Sequence, residues 1–159
     1  GTRNKEQRTG NGTDPGRRRR EQQQGTRNKE QRTGNGTDPG RRKGDDLAER
    51  LLGAVAGVQR LLPTLQLDAA SRHLAQQLWR AATGGGSNYA EARGAESTAD
   101  FVHKLRVATK ELREAHYWLR VVQRSNWLPF GAVDRLADEF DQLVAILVAS
   151  ARTARSRAP

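Results

Sequence analysis

Phe101, Leu105, Ala108, Leu112, Ala115, Leu119 and Val122 recur at alternating intervals of four and three residues. Only an α-helix gathers such a series on one side, and the resulting seam has to be covered by other helices. Ser97-Thr98-Ala99-Asp100 supplies a cap followed three residues later by an acid, an Asp version of the capping box. The spacing predicts a helix over 97–125, closed by the apolar loop Trp127-Leu128-Pro129-Phe130-Gly131. Three more stretches keep the same rhythm. Leu47, Leu51, Ala54, Val58 and Leu61 predict a helix over 45–62, with Asp45 and Asp46 at its N-terminus, where the dipole favours them, and Pro63 at the turn. Leu74, Leu78, Ala81, Gly85 and Asn88 or Tyr89 predict one over 68–94, capped by Asp68. Val133, Leu136, Phe140, Leu143, Leu147 and Ser150 predict a fourth over 131–154. Short loops between four helices point to an all-α, antiparallel up-down-up-down four-helix bundle.

Two features complicate that pattern. Gly84-Gly85-Gly86 falls in the middle of the second helix, and each glycine costs a helix interior about 1 kcal/mol relative to alanine. The triplet is either a break or a close contact between backbones; a continuous, weakened helix is expected. Apolar residues also exceed what one seam per helix needs: Tyr117, Trp118, Val121, Trp127, Val144 and Val148. Lid and loop packing is one account of them, and a second buried face at a subunit interface is the other.

Residues 1–43 follow different rules. GTRNKEQRTGNGTDPGRR at 1–18 recurs letter for letter at 25–42, and neither copy has a large apolar residue. Identity without a core to protect points to recent duplication of coding DNA rather than to a structural repeat. This segment holds 13 Lys/Arg against 5 Asp/Glu, so most of the chain's net charge of +10 belongs to it. Its composition cannot bury enough surface to offset ordering entropy, so a disordered basic tail is expected over 1–43 and a helical domain over 44–159. The tail reads either as a nucleic-acid-binding arm or as translated upstream repeat DNA that the cell never makes into protein. The chain has no methionine, so it is expected to begin after its true start or to have an unusually assigned one, and with the exact duplication that favours the second reading.

Little in the sequence suggests catalysis. With no cysteine there is no disulfide, Cys-ligated metal or thiol chemistry, which fits a cytoplasmic protein. No apolar run reaches the roughly 18–20 residues that cross a bilayer, and the basic N-terminus lacks a signal peptide's apolar segment. Asp100-x-x-His103 has half the spacing of a bundle di-metal site, but the other carboxylates and histidine are missing, so His73, His103 and His116 read as surface residues. Glu111 and Glu114, interleaved with Lys110 and Arg113, read as a solvated charged face. Gly84-Gly85-Gly86-Ser87 has neither the lysine nor the preceding strand of a phosphate loop. Asn11-Gly12-Thr13 and Asn35-Gly36-Thr37 match the glycosylation sequon by chance. No enzyme activity, metal, cofactor, small-molecule substrate or membrane is expected.

Nucleic acid is the remaining class of partner. Arg17-Arg18-Arg19-Arg20 and Arg41-Arg42-Lys43 are basic clusters of the kind that bind phosphate backbones without sequence preference. Arg106, Lys110, Arg113, Arg120 and Arg124 run along the third helix with Lys104 nearby, interrupted by Glu111 and Glu114. Tyr117 and Trp118 have the chemistry to stack on bases, although core or interface burial is the expected fate of both.

Ser87-Asn88-Tyr89-Ala90-Glu91-Ala92, then Arg93-Gly94-Ala95-Glu96-Ser97, Asp100-Phe101-x-x-Lys104 and Lys110-Glu111-x-x-Glu114-x-x-Tyr117-Trp118-Leu119 carry a resemblance. The chain resembles the small bacterial four helix bundle protein family, which includes proteins encoded in intervening sequences of 23S ribosomal RNA genes. It is more distantly similar to accessory proteins of diversity-generating retroelements. The resemblance spans about residues 45–155, is specific across 78–120 and leaves out the tail. It implies an antiparallel bundle assembling into a ring-shaped homopentamer. It also implies an RNA association, inferred for the family from gene location, while the retroelement relatives bind nucleic acid and a reverse transcriptase. Asn88, Tyr89, Glu91, Arg93, Tyr117 and Trp118 match the family's motifs as structural residues, and Asn88 and Glu91 are expected to hold polar contacts between helices. Gly84 departs from the family pattern, which usually has an aliphatic residue there. The function expected on this basis is a non-enzymatic oligomeric scaffold partnered by RNA or a ribonucleoprotein. The alternative is a protein–protein adaptor with no nucleic-acid role.

Overall fold

The computed structural model describes residues 44–157; the duplicated segment, and with it Arg17, Arg18, Arg19 and Arg20, lies outside the described residues. Four helices make up the fold: α1 (Asp45–Leu61), α2 (Ala69–Arg93), α3 (Thr98–Arg124) and α4 (Asp134–Ser156), with a 3-10 turn at Leu62–Leu65. No strand occurs among the described residues. The predicted seams form the core. Leu51, Ala54 and Val58 of α1 are buried, as are Leu74, Leu78, Ala81, Gly85 and Tyr89 of α2. From α3 come Leu105, Ala108, Leu112, Ala115, Leu119 and Val122, and from α4 Phe140, Leu143 and Leu147.

Consecutive helices meet late residue to early residue. The Tyr89 hydroxyl of α2 donates to the Gly44 carbonyl at the start of α1 (3.2 Å), and Arg93 pairs with Asp45 beside it. Between α2 and α3, Glu91 pairs with Lys104 and Arg80 with Glu114 (3.2 Å). Between α3 and α4, the Gln123 side chain donates to Asp134 (2.9 Å). On the other flank of α1, Arg50 binds Glu139 of α4 through two hydrogen bonds of 2.8 and 2.9 Å, the fork geometry suited to a carboxylate.

The glycine triplet does not interrupt α2, which runs unbroken from Ala69 to Arg93. Gly85 packs so closely on α3 that a Cβ there would sit 2.3 Å from Leu112 Cδ2. The missing side chain allows that approach. At α4 the boundary shifts: the helix begins at Asp134 instead of 131. Gly131 takes a left-handed φ of 81°, and the Asp134 N–H bonds back to its carbonyl at 3.3 Å, so the chain turns there before it coils.

Asp68 and Ser71 cap α2 reciprocally. The Ser71 N–H donates to Asp68 Oδ1 (2.7 Å), and the Asp68 N–H donates to Ser71 Oγ (2.9 Å). The Ser71 amide holds the Asp68 carboxyl below its ordinary value of 3.8. A depressed folded-state pKa stabilises the fold above pH 3.8, and that contribution disappears as pH falls through the lower folded value. Asp68→Asn keeps a competent cap without the titration. Below pH 4, wild type should therefore lose melting temperature faster than Asp68→Asn; parallel losses in both would remove the cap from the acid response.

Candidate nucleic-acid interface

A helix turns 100° per residue, so Arg106, Lys110, Arg113, Tyr117, Arg120 and Arg124 share one side of α3, away from the buried seam. All six are exposed. The acids that interrupt this stripe in sequence do not interrupt it in space. Glu114 turns toward α2, where it pairs with Arg80 and accepts a hydrogen bond from Trp118 Nε1 at 3.4 Å. The Glu111 carboxylate lies over Gly84, 3.0 Å from where a Cβ would stand. The departure at Gly84 leaves room for that carboxylate.

One end of the stripe borders a groove of about 770 Å³ between α3 and the last turns of α4. Arg106, Lys110 and Arg113 stand on the α3 wall, Arg152 and Arg155 on the α4 wall, and Thr109, Val148, Ala151 and Ser156 complete the lining. No carboxylate is part of it. Among the described residues none of the five cations makes an ion pair, whereas Arg50, Arg80, Arg93 and Lys104 each have an acidic partner. Glu91 holds the Lys104 ammonium above its ordinary range, so Lys104, beside the stripe in sequence, is already neutralised on the α2 flank.

Arg120 and Arg124 have different surroundings. The first two turns of α4 carry Asp134, Asp138 and Asp141. Asp134 accepts from Gln123, and Asp141 lies 3.9 Å from His116 Nδ1, which places this acidic stretch along the Arg120–Arg124 half of α3. The predicted stripe of five cations thus divides into a part on the groove, Arg106 to Arg113, and a part near the acidic start of α4, Arg120 and Arg124, neither of which forms an ion pair among the described residues. Arg152 and Arg155 were missed by sequence reasoning. Their i, i+3 spacing near the chain's end was visible, but their place opposite Arg106 and Arg113 follows only from the docking of α4.

Of the two fates expected for Tyr117, core burial is excluded: it is 60 % exposed in the single chain. Its ring meets Trp118 edge to face with centroids 5.0 Å apart, and Trp118 is half-buried against the core. The other motif residues gather at the α1–α2 and α2–α3 contacts. Tyr89 and Arg93 grip the start of α1, and Glu91 reaches α3 through Lys104. Burial pushes the Tyr89 phenol above its ordinary value. Asn88 differs from expectation, since its amide donates to Gly84 O of its own helix at 2.9 Å and does not cross to a neighbour. That bond occupies a carbonyl in the glycine-weakened stretch.

These matches lie within a longer one: the family model of the 23S rRNA-intervening sequence protein covers residues 54–149. The chain belongs to the 23S rRNA-intervening sequence protein family. A solved structure similar to this family member is a protein of unknown function from the S23 ribosomal protein family of Bacteroides thetaiotaomicron VPI-5482, determined at 1.70 Å. It is 25 % identical with a TM-score of 0.61, over 66 % of this chain and 97 % of that one. No curated protein matches the chain.

For this family member, no group of three or more His, Cys, Asp or Glu among the described residues is arranged to hold a metal ion. His73 and His103 are exposed, and His116 is half-buried near Asp141. No described helix is long and apolar enough to cross a membrane.

Proposed function

We propose that this protein is a non-enzymatic, oligomeric helical scaffold that holds RNA against the groove between α3 and the end of α4. The observation that carries the reading is the set of five cations lining that groove with no carboxylate among them. Cations without an acidic partner are common on the described surface, but here five of them converge on one groove. Together they create a positive potential suited to phosphates. The family's description as a 23S rRNA-intervening sequence protein supports the same partner. Apolar side chains left in water, Leu52 at 62 % and Trp79 at 38 % exposure, are surface that a second copy would cover.

The test compares wild-type full chain with the triple variant Arg106→Ala/Lys110→Ala/Arg113→Ala for binding to an RNA hairpin across a salt series. Each lost phosphate contact lowers the slope of log affinity against log salt by about one, so a drop of about three is expected. Because residues 1–43 are the same in both proteins, the difference belongs to the groove. Equal slopes would leave the RNA signal to that segment and favour a protein–protein adaptor. Light scattering on the same samples should give a mass above that of one chain, and a monomer would remove the oligomeric part of the proposal.

A further inference from the structure

We infer that the groove takes single-stranded RNA, with phosphates along the cationic track and a base stacked on Tyr117. The inference rests on the reading that the groove binds RNA, and it specifies the form of that RNA.

Three observations lead to it. The cations stand on both walls of a cleft between two adjacent helices, Arg106 and Lys110 on one side and Arg152 and Arg155 on the other. The two walls belong to adjacent packed helices, so the cleft is a surface groove along which an extended single strand can lie. A duplex, with a phosphate row on each strand, would touch only the rim.

The groove's lining also ends one turn before the aromatic ring. Arg113 is the last cation of α3 that lines the groove, and Tyr117 follows one turn later. Beyond it, Arg120 and Arg124 lie along the stretch of α4 that carries Asp134, Asp138 and Asp141. Beyond Tyr117 cations and carboxylates mix, so the pull on a phosphate is weaker there than in the groove, and a base needs none. From Arg106 to Tyr117 the helix rises about 16 Å, room for a few nucleotides.

The ring itself is held ready. Tyr117 is 60 % exposed, and its edge-to-face contact with the half-buried Trp118 restrains it from behind. A preset aromatic at the end of a basic groove is the arrangement by which single strands are bound with little sequence preference, phosphates in the groove and bases on the ring.

The experiment uses full-length protein and a strand of about 12 nucleotides carrying one 4-thiouridine, alone and annealed to its complement. The single strand should bind more tightly than the duplex. Tyr117→Ala should weaken it about tenfold, the effect of losing one stacked base, and Tyr117→Phe should not. On irradiation the cross-link should fall in the tryptic peptide Glu114–Arg120 and disappear in Tyr117→Ala. The inference is overturned if Tyr117→Ala binds as well as wild type, or if the duplex binds equally well, while Arg106→Ala/Lys110→Ala/Arg113→Ala weakens binding. RNA would then be held by phosphates alone. If the triple variant is also without effect, the groove reading fails as well.

Discussion

Truncation of Phe140 to alanine should cost the domain about 3–5 kcal/mol, the range for emptying a buried aromatic site. Phe140 is 0 % exposed and is the largest of the fully buried side chains. Its helical neighbours on the same face are Ala137, Leu143 and Leu147, all buried, and none is large enough to fill the space by changing rotamer. The flanking Glu139 is tied to Arg50, which limits how far α4 can slide inward to close the void. A domain of this size has about 5–15 kcal/mol of total stability, so the variant should stand close to its folding threshold. Denaturant titration reads this as a large fall in midpoint with an unchanged slope. A loss below about 1 kcal/mol would mean that the core collapses freely around position 140, contrary to the packing described.

Gly85→Val is the second large effect. The new Cβ would stand 2.3 Å from Leu112 Cδ2, 2.7 Å from Leu112 Cγ and 3.5 Å from the Ala108 carbonyl. Leu112 is itself fully buried, so it has nowhere to turn, and α2 and α3 must separate. Overpacking of this kind costs about 1–3 kcal/mol, and the added methyls place valine toward the upper end. The adjacent glycine should respond in the opposite direction. A Cβ at Gly86 meets only Val55 Cγ2 at 3.5 Å, an ordinary contact, so Gly86→Ala should gain most of the roughly 1 kcal/mol that glycine costs a helix. Melting curves of the two variants decide the matter: shifts of the same sign would show that the approach of α2 to α3 is not set by Gly85.

That contrast marks how far the sequence could be read. The rhythm from Leu105 to Val122 announced α3 because every member of it is buried and a serine caps its start, the Asp100 N–H donating to Ser97 Oγ at 3.1 Å. Heptad spacing also placed Gly85 in the seam, but spacing carries no information on how near the opposite backbone comes. At α4 the rhythm ran on too early, since Val133 keeps the apolar period while Gly131 reverses the chain before it. The groove was half legible. Its α3 wall lies on one helix, where side follows from number; its α4 wall depends on tertiary docking. For the same reason Glu111 and Glu114 looked like interruptions, although a rotation of about 100° per residue carries them around to α2. Core burial, one of the two fates expected for Tyr117, fails because of the two adjacent aromatics only Trp118 packs against the seam.

α1 brings three buried side chains to the hydrophobic core, against six from α3, and two of its seventeen residues are glycine. Polar ties secure its first turns, Tyr89 to Gly44, Arg93 to Asp45 and Arg50 to Glu139, while its later turns rely on Ala54 and Val58. Segments with few buried apolar contacts open at a fraction of the global unfolding free energy. The four helices therefore have unequal lifetimes in place. Of the four, α1 has the least to hold it along its length, and fully buried Leu65 just beyond its C-terminus pins that end to the core.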